Sequence, residues 1–136
     1  MLNLPEEHYD KYPHAYRALL FLKGAQEAFE PTNRYIGFWI ISFYLLSHSI
    51  ELSIKAVIKL RLDEDVGGHD IADLAERYNH VCNFSEDELR TIGEFNDLNN
   101  GPGGLRYDND AQVNFFPFTF RDGVKIVERL FKENFQ

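Results

Sequence analysis

Trp39-Ile-Ile-Ser-Phe-Tyr-Leu-Leu-Ser-His-Ser-Ile-Glu-Leu-Ser-Ile-Lys-Ala-Val-Ile58 is the stretch that decides the fold. With Ile36 before them, Trp39, Ile40, Phe43, Ile50, Ile54, Val57 and Ile58 recur at helical spacing and form one apolar stripe. Phe38, Ile41 and Leu45 add a second apolar face, so the first half is expected to be buried nearly all round. Past Glu51 the helix becomes one-sided. Lys55, Lys59 and Arg61 fall in its last turns, where cations suit the helix dipole. The spacing predicts one long helix over about 33–62, broken at Gly67-Gly68.

Four more helices follow from the flanking sequence. Ala15, Ala18, Leu19, Leu22, Ala25 and Phe29 predict a helix from Pro13 to Phe29, with proline at a first-turn position and Pro31 as the stop. A short helix starts after Asp70, which can cap it, and turns Ile71, Leu74, Ala75 and Tyr78 inward. Ser85-Glu-Asp-Glu88 is a capping box opening a helix with Leu89, Ile92, Phe95 and Leu98 on one face. Asn99-Asn-Gly-Pro-Gly-Gly104 reads as a loop. The last helix runs from about Thr119 to Asn134, with Phe120, Val124, Val127 and Phe131 inward. No strand pattern competes, so the expected fold is an all-α bundle of four to five helices in one domain, with its core over about 13–134.

Composition narrows the function classes. Twelve Phe and seven Tyr in 136 residues supply ample apolar area for a packed interior. Residues 62–100 hold eleven acidic side chains against Arg77 and Arg90, a net charge of −9, whereas the rest of the chain is close to neutral. Nucleic-acid backbones are held by clustered Lys and Arg, so this acidic middle should repel them. The longest uncharged stretch, between Arg34 and Glu51, has 16 residues and falls short of the ~20 that a membrane span needs, so no membrane partner is expected. Cys82 is the one cysteine and cannot form an internal disulfide. The acidic start Met1-Leu-Asn-Leu-Pro-Glu-Glu-His8 does not resemble a secretory leader, so a reducing cytoplasm is the expected setting.

Three short motifs in a fixed order resemble the HEPN superfamily: Leu46-Ser-His-Ser-Ile-Glu-Leu-Ser-Ile-Lys55, then Gly68-His-Asp-Ile-Ala-Asp-Leu74, then Leu105-Arg-Tyr107. The resemblance covers roughly residues 35–130. It implies an up-and-down bundle of four or five helices, commonly dimeric. Many members of that superfamily are ribonucleases in toxin–antitoxin or defence systems, and others are noncatalytic partners of nucleotidyltransferase-like proteins. The ribonucleases use an Arg followed, after four to six residues, by a His. No arginine here has a His at that distance: Arg61 and His69 are separated by seven residues, and Arg77 and His80 by two. After Arg106 the compatible positions hold Ala111, Gln112 and Val113, and glutamine cannot transfer protons as an imidazole does near neutral pH.

The candidate site residues each have two readings. His48, Glu51 and Lys55 stand at i, i+3 and i+7, and so project from a similar side of the long helix. They form either a ligand-binding face or a semi-buried ion pair that fixes packing. His69 offers a ligand-binding imidazole or a loop hydrogen bond. With Asp70 and Asp73 it is too sparse for metal, and no metal or other cofactor is expected. Gly101-Pro-Gly-Gly104 lacks the context of a phosphate loop. Arg106 and Tyr107 offer a guanidinium and an aromatic face for contact, or else an Arg–Asp pair and a core tyrosine. Phe115-Phe-Pro-Phe118 either caps the open end of the bundle or forms a partner surface.

The leading expectation is a noncatalytic, homodimeric HEPN-like interaction module, the partner of another protein in a defence, toxin–antitoxin or nucleotidyltransferase-linked system. The alternatives are a divergent, metal-independent ribonuclease using Arg106, with RNA as its substrate, and a small-molecule or nucleotide binder lined by His48, Glu51 and Arg106.

Overall fold

Proline at the start of the first helix, a left-handed residue after the second and a capping box before the fifth set where the chain turns in the computed structural model, which describes residues 2–29, 36–100 and 117–136. The helices are α1 (Pro13–Ala28), α2 (Ile36–Leu62), α3 (Ile71–Arg77), α4 (Asn79–Cys82), α5 (Glu86–Asn100) and α6 (Pro117–Asn134), preceded by a 3-10 turn at Glu6–His8. No strand occurs among the described residues. The buried residues of all six helices join in one apolar cluster, so the protein is an all-α bundle.

α2 is the central element. It packs most extensively on α1 and also touches α3, α4, α5 and α6. Alanines make the α1 contact close: Ala15, Ala18 and Ala25 are fully buried, and Ser49 Oγ donates to Ala18 O at 2.8 Å. Of the buried serines that interrupt the apolar run of α2, Ser49 is satisfied by this bond, whereas Ser47 Oγ has no hydrogen-bond partner among the described residues. Ser53 Oγ donates to Ser49 O and Ser42 Oγ to Trp39 O, so these buried hydroxyls are satisfied on backbone carbonyls. From Trp39 to Leu62 the helix is long and apolar enough to cross a membrane by length and composition, contrary to the shorter span set by uncharged residues alone. Its most apolar window is 72% buried inside the fold, as in a core helix.

Helix ends follow local chemistry. α2 stops at Leu62 because Asp63 adopts φ 54°, ahead of the glycines that the sequence pattern marks. Asp70 Oδ1 accepts from Asp73 N and caps α3. The expected single short helix is instead two, since the backbone leaves helical geometry at Tyr78 and α4 ends on left-handed Asn83. Ser85 and Glu88 exchange the two bonds of the capping box. Arg129 of α6 then ties three segments together, donating to Glu88 Oε2 and Glu133 Oε2, each at 2.7 Å, and to Cys82 O at 3.2 Å.

Two expectations about α2 are corrected: residues 51–58, expected to be one-sided, are all buried, and the first half departs from expectation in the opposite sense. That first half is not buried all round: Ile40, Ile41 and Tyr44 remain 38%, 49% and 37% exposed. With α1 on one side and the core on another, no described element covers this third side. Phe118, on the first turn of α6, is exposed as well, while Phe115 and Phe116 lie outside the described residues.

α5 and α6 meet where Gly123 lets them approach. A Cβ there would stand 2.7 Å from Phe95 Cε2, and the Phe95 ring is fully buried with no room to retreat. Gly123→Ala should therefore lower stability by about 1–3 kcal/mol, as overpacking does. A urea midpoint equal to or above wild type would refute this close fit.

Candidate functional site

The structure divides the three α2 residues that the sequence places together. Glu51 and Lys55 are buried, 4% and 7% exposed, with Lys55 Nζ 3.3 Å from Glu51 Oε2. His48 stands apart from that pair. Its ring stacks on Phe21 of α1 with centroids 5.4 Å apart, and meets Tyr44 edge-on at 4.5 Å. The i, i+3, i+7 spacing gives the side of the helix and says nothing of what covers each turn.

The cover over Glu51 and Lys55 is the segment between α2 and α3. Lys55 Nζ donates to Gly68 O at 2.8 Å, and Gly68 holds φ +91°, a backbone state that suits glycine. His69 follows, with Nδ1 3.2 Å from Glu51 Oε1 and 3.3 Å from Oε2. A carboxylate only accepts, so Nδ1 carries the proton in this contact. Asp70 comes next as the cap of α3. Gly68-His69-Asp70 thus works as a latch: one residue supplies a carbonyl to Lys55, the next an imidazole N–H to Glu51, the third starts the next helix. A buried ion pair needs such added hydrogen bonds to offset the loss of hydration.

His14 of α1 belongs to this neighbourhood, and no motif in the sequence points to it. Its pKa lies below the ordinary 6.5, first because burial disfavours the charged ring, then because Lys55 and Arg17 repel a further proton. Its Nδ1 is buried with no hydrogen-bond partner among the described residues. At the other end of the chemistry, burial pushes the Cys82 thiol up to about 11, which leaves too little thiolate for a nucleophile at neutral pH. Among the described residues no group of three or more His, Cys, Asp or Glu side chains could hold a metal ion.

Arg106 and Tyr107 lie outside the described residues, as does Gly101-Pro-Gly-Gly104. Two surface grooves of about 570 Å³ lie elsewhere, one between the N-terminal segment and α1, the other between α5 and α6. Neither contains His48, Glu51, Lys55 or His69. What the Glu51–Lys55–His69 arrangement does chemically is neutralise and fix: its amine and carboxylate are both engaged inside the fold. No family model, curated protein or solved structure matches the chain.

Two outcomes follow from this geometry. Glu51→Ala leaves the Lys55 ammonium buried without its counter-charge and should cost about 3–5 kcal/mol. Glu51→Gln combined with Lys55→Met should recover much of that loss, because no uncompensated ion remains. Urea unfolding of the single and double variants measures the coupling. A loss below about 1 kcal/mol with no coupling would mean a solvated face open to a ligand.

The second outcome concerns pH. A histidine with a lowered folded pKa binds fewer protons when folded, so its contribution to stability is fully present above pH 6.5 and is lost as pH falls through the folded value. His14→Gln should flatten the fall in stability below pH 6.5. Unfolding curves of wild type and variant that stay parallel from pH 7.5 to 5 would remove His14 as the cause.

Proposed function

We propose that this chain is a noncatalytic HEPN-like interaction module that acts as a homodimer, in the setting of a defence, toxin–antitoxin or nucleotidyltransferase-linked partner. The observation that carries the reading is the uncovered apolar side of α2, where Ile40, Ile41 and Tyr44 stand exposed on the one long segment without a charge. Half-buried Leu45 and His48, with Phe21 of α1, border it. An apolar stripe on a helix is stable when it packs on another element. Standing open to water, it favours association.

Three further facts favour binding over catalysis. Glu51, Lys55 and His69 are engaged with one another and with Gly68. The Arg–His spacing of the family's ribonucleases is missing, and residues 62–100 carry a net charge of −9. A polyanionic substrate gains nothing from that field.

Light scattering on the purified chain should give a dimer of about 32 kDa, twice the 15.9 kDa chain. Ile41→Asp should convert it to a monomer, since a carboxylate in an apolar contact loses its hydration. RNA incubated with the wild-type protein should stay intact. A monomer at high micromolar concentration would sink the assembly. Cleavage above a mock-purified control that Arg106→Ala abolishes would replace this reading with the ribonuclease one.

A further inference from the structure

We propose that the groove between the N-terminal segment and α1 binds a free short peptide with apolar side chains, its carboxylate on Lys23 and its ammonium on Glu128. The site is separate from the self-association face. Lys23 follows Phe21, which borders that face, by two residues, and so stands about 200° round α1 from it.

The two ends of the chain fix one wall of the groove. Asn3 O accepts from Gln136 Nε2 at 2.7 Å, and Leu4 is buried. The rings of His8 and Tyr12 pack on Phe135, just past α6. Held in this way, the N-terminal segment leaves a groove of about 570 Å³ along the outer side of α1. Small-ligand sites have volumes of this order, an apolar lining and a few placed polar groups.

The lining meets both requirements. Leu4 and Leu22 form its buried floor, and Tyr9, Tyr16 and Leu20 stand beside it, 42%, 41% and 53% exposed. The rings of Tyr9 and Tyr16 brace each other, with centroids 4.9 Å apart. These are three of the seven large apolar side chains exposed among the described residues, so the open apolar area is gathered here rather than scattered. Covering it releases water.

Three polar side chains define what the occupant carries. Lys23 and Gln26 of α1 and Glu128 of α6 line the groove. Among the described residues none of the three is hydrogen-bonded or ion-paired, so Lys23 and Glu128 do not neutralise each other. An occupant with a single charge is attracted by one of them and repelled by the other, whereas a zwitterion is attracted by both. Gln26 adds an amide that donates and accepts, which matches the two functions of a peptide bond. A terminus of a large protein brings one of these charges. A short free peptide brings both, with an apolar body between them.

Blocked peptides test the assignment. The probe is leucyl-phenylalanine, with an N-acetylated form that lacks the ammonium and a C-amidated form that lacks the carboxylate. Calorimetry on the wild-type chain should give a dissociation constant of about 0.1–1 mM for the free dipeptide. Each block should weaken binding about fivefold. Lys23→Gln should weaken the free and the N-acetylated dipeptide by a similar factor and leave the C-amidated one unchanged. Glu128→Gln should weaken the free and the C-amidated dipeptide and leave the N-acetylated one unchanged. An unchanged urea midpoint checks that each variant is folded.

Absence of saturable binding up to ~10 mM dipeptide overturns the site. Binding that both substitutions leave unchanged overturns the pairing of Lys23 with the carboxylate and Glu128 with the ammonium. Backbone resonances that move at Ile41 and Tyr44, while those of Tyr16 and Leu20 stay still, overturn the location. None of these outcomes depends on whether the chain is a dimer.

Discussion

The Glu51 carboxylate is the constraint on which the middle of this protein depends. It is buried on α2, it faces Lys55 one turn along, and it accepts from His69 on the segment that leads to α3. Isolated in apolar surroundings, either charge would be costly to hold. Together they need a third group, and the chain supplies it by bending at Gly68, whose carbonyl accepts a hydrogen bond from Lys55 Nζ. The run Gly68-His69-Asp70 thereby converts an electrostatic need into a direction for the chain. α3 starts where the latch ends, and α5 packs on α3.

Legibility from sequence follows the reach of the interaction. Caps are readable because Asp70 to Asp73 and Ser85 to Glu88 are three residues apart, within one turn. The Glu51–Lys55 pair is readable for the same reason. His14 is not, because its influence on the pair runs from a different helix and depends on how closely the alanines of α1 let that helix approach. The split at Tyr78 is hidden too, since Ile71, Leu74, Ala75 and Tyr78 keep helical spacing while the backbone at Tyr78 itself departs from it.

The misreading of α2 has a related cause. Periodicity reports which residues are apolar, and it does not count the neighbours available to bury them. Ile40 belongs to the stripe by spacing and still remains 38% exposed, because only two sides of the helix meet other described elements there. The site residues divide in the same way. Spacing along one helix groups His48 with Glu51 and Lys55, whereas the rings of Phe21 and Tyr44 claim the imidazole.

The alanine-lined contact between α1 and α2 separates what must be kept from what is free to change. Ala15, Ala18 and Ala25 set the distance between the helices, and a larger side chain at any of them would push the pair apart. Leu20, Lys23 and Glu27 point outward from the same helix and carry none of that constraint. Descendants of such a chain can rewrite the outer surface, and with it the choice of companion, in single steps that leave the scaffold intact. The inner surface admits no comparable drift. A lineage built on this pair of helices would be expected to diverge in whom it binds long before it diverges in how it folds.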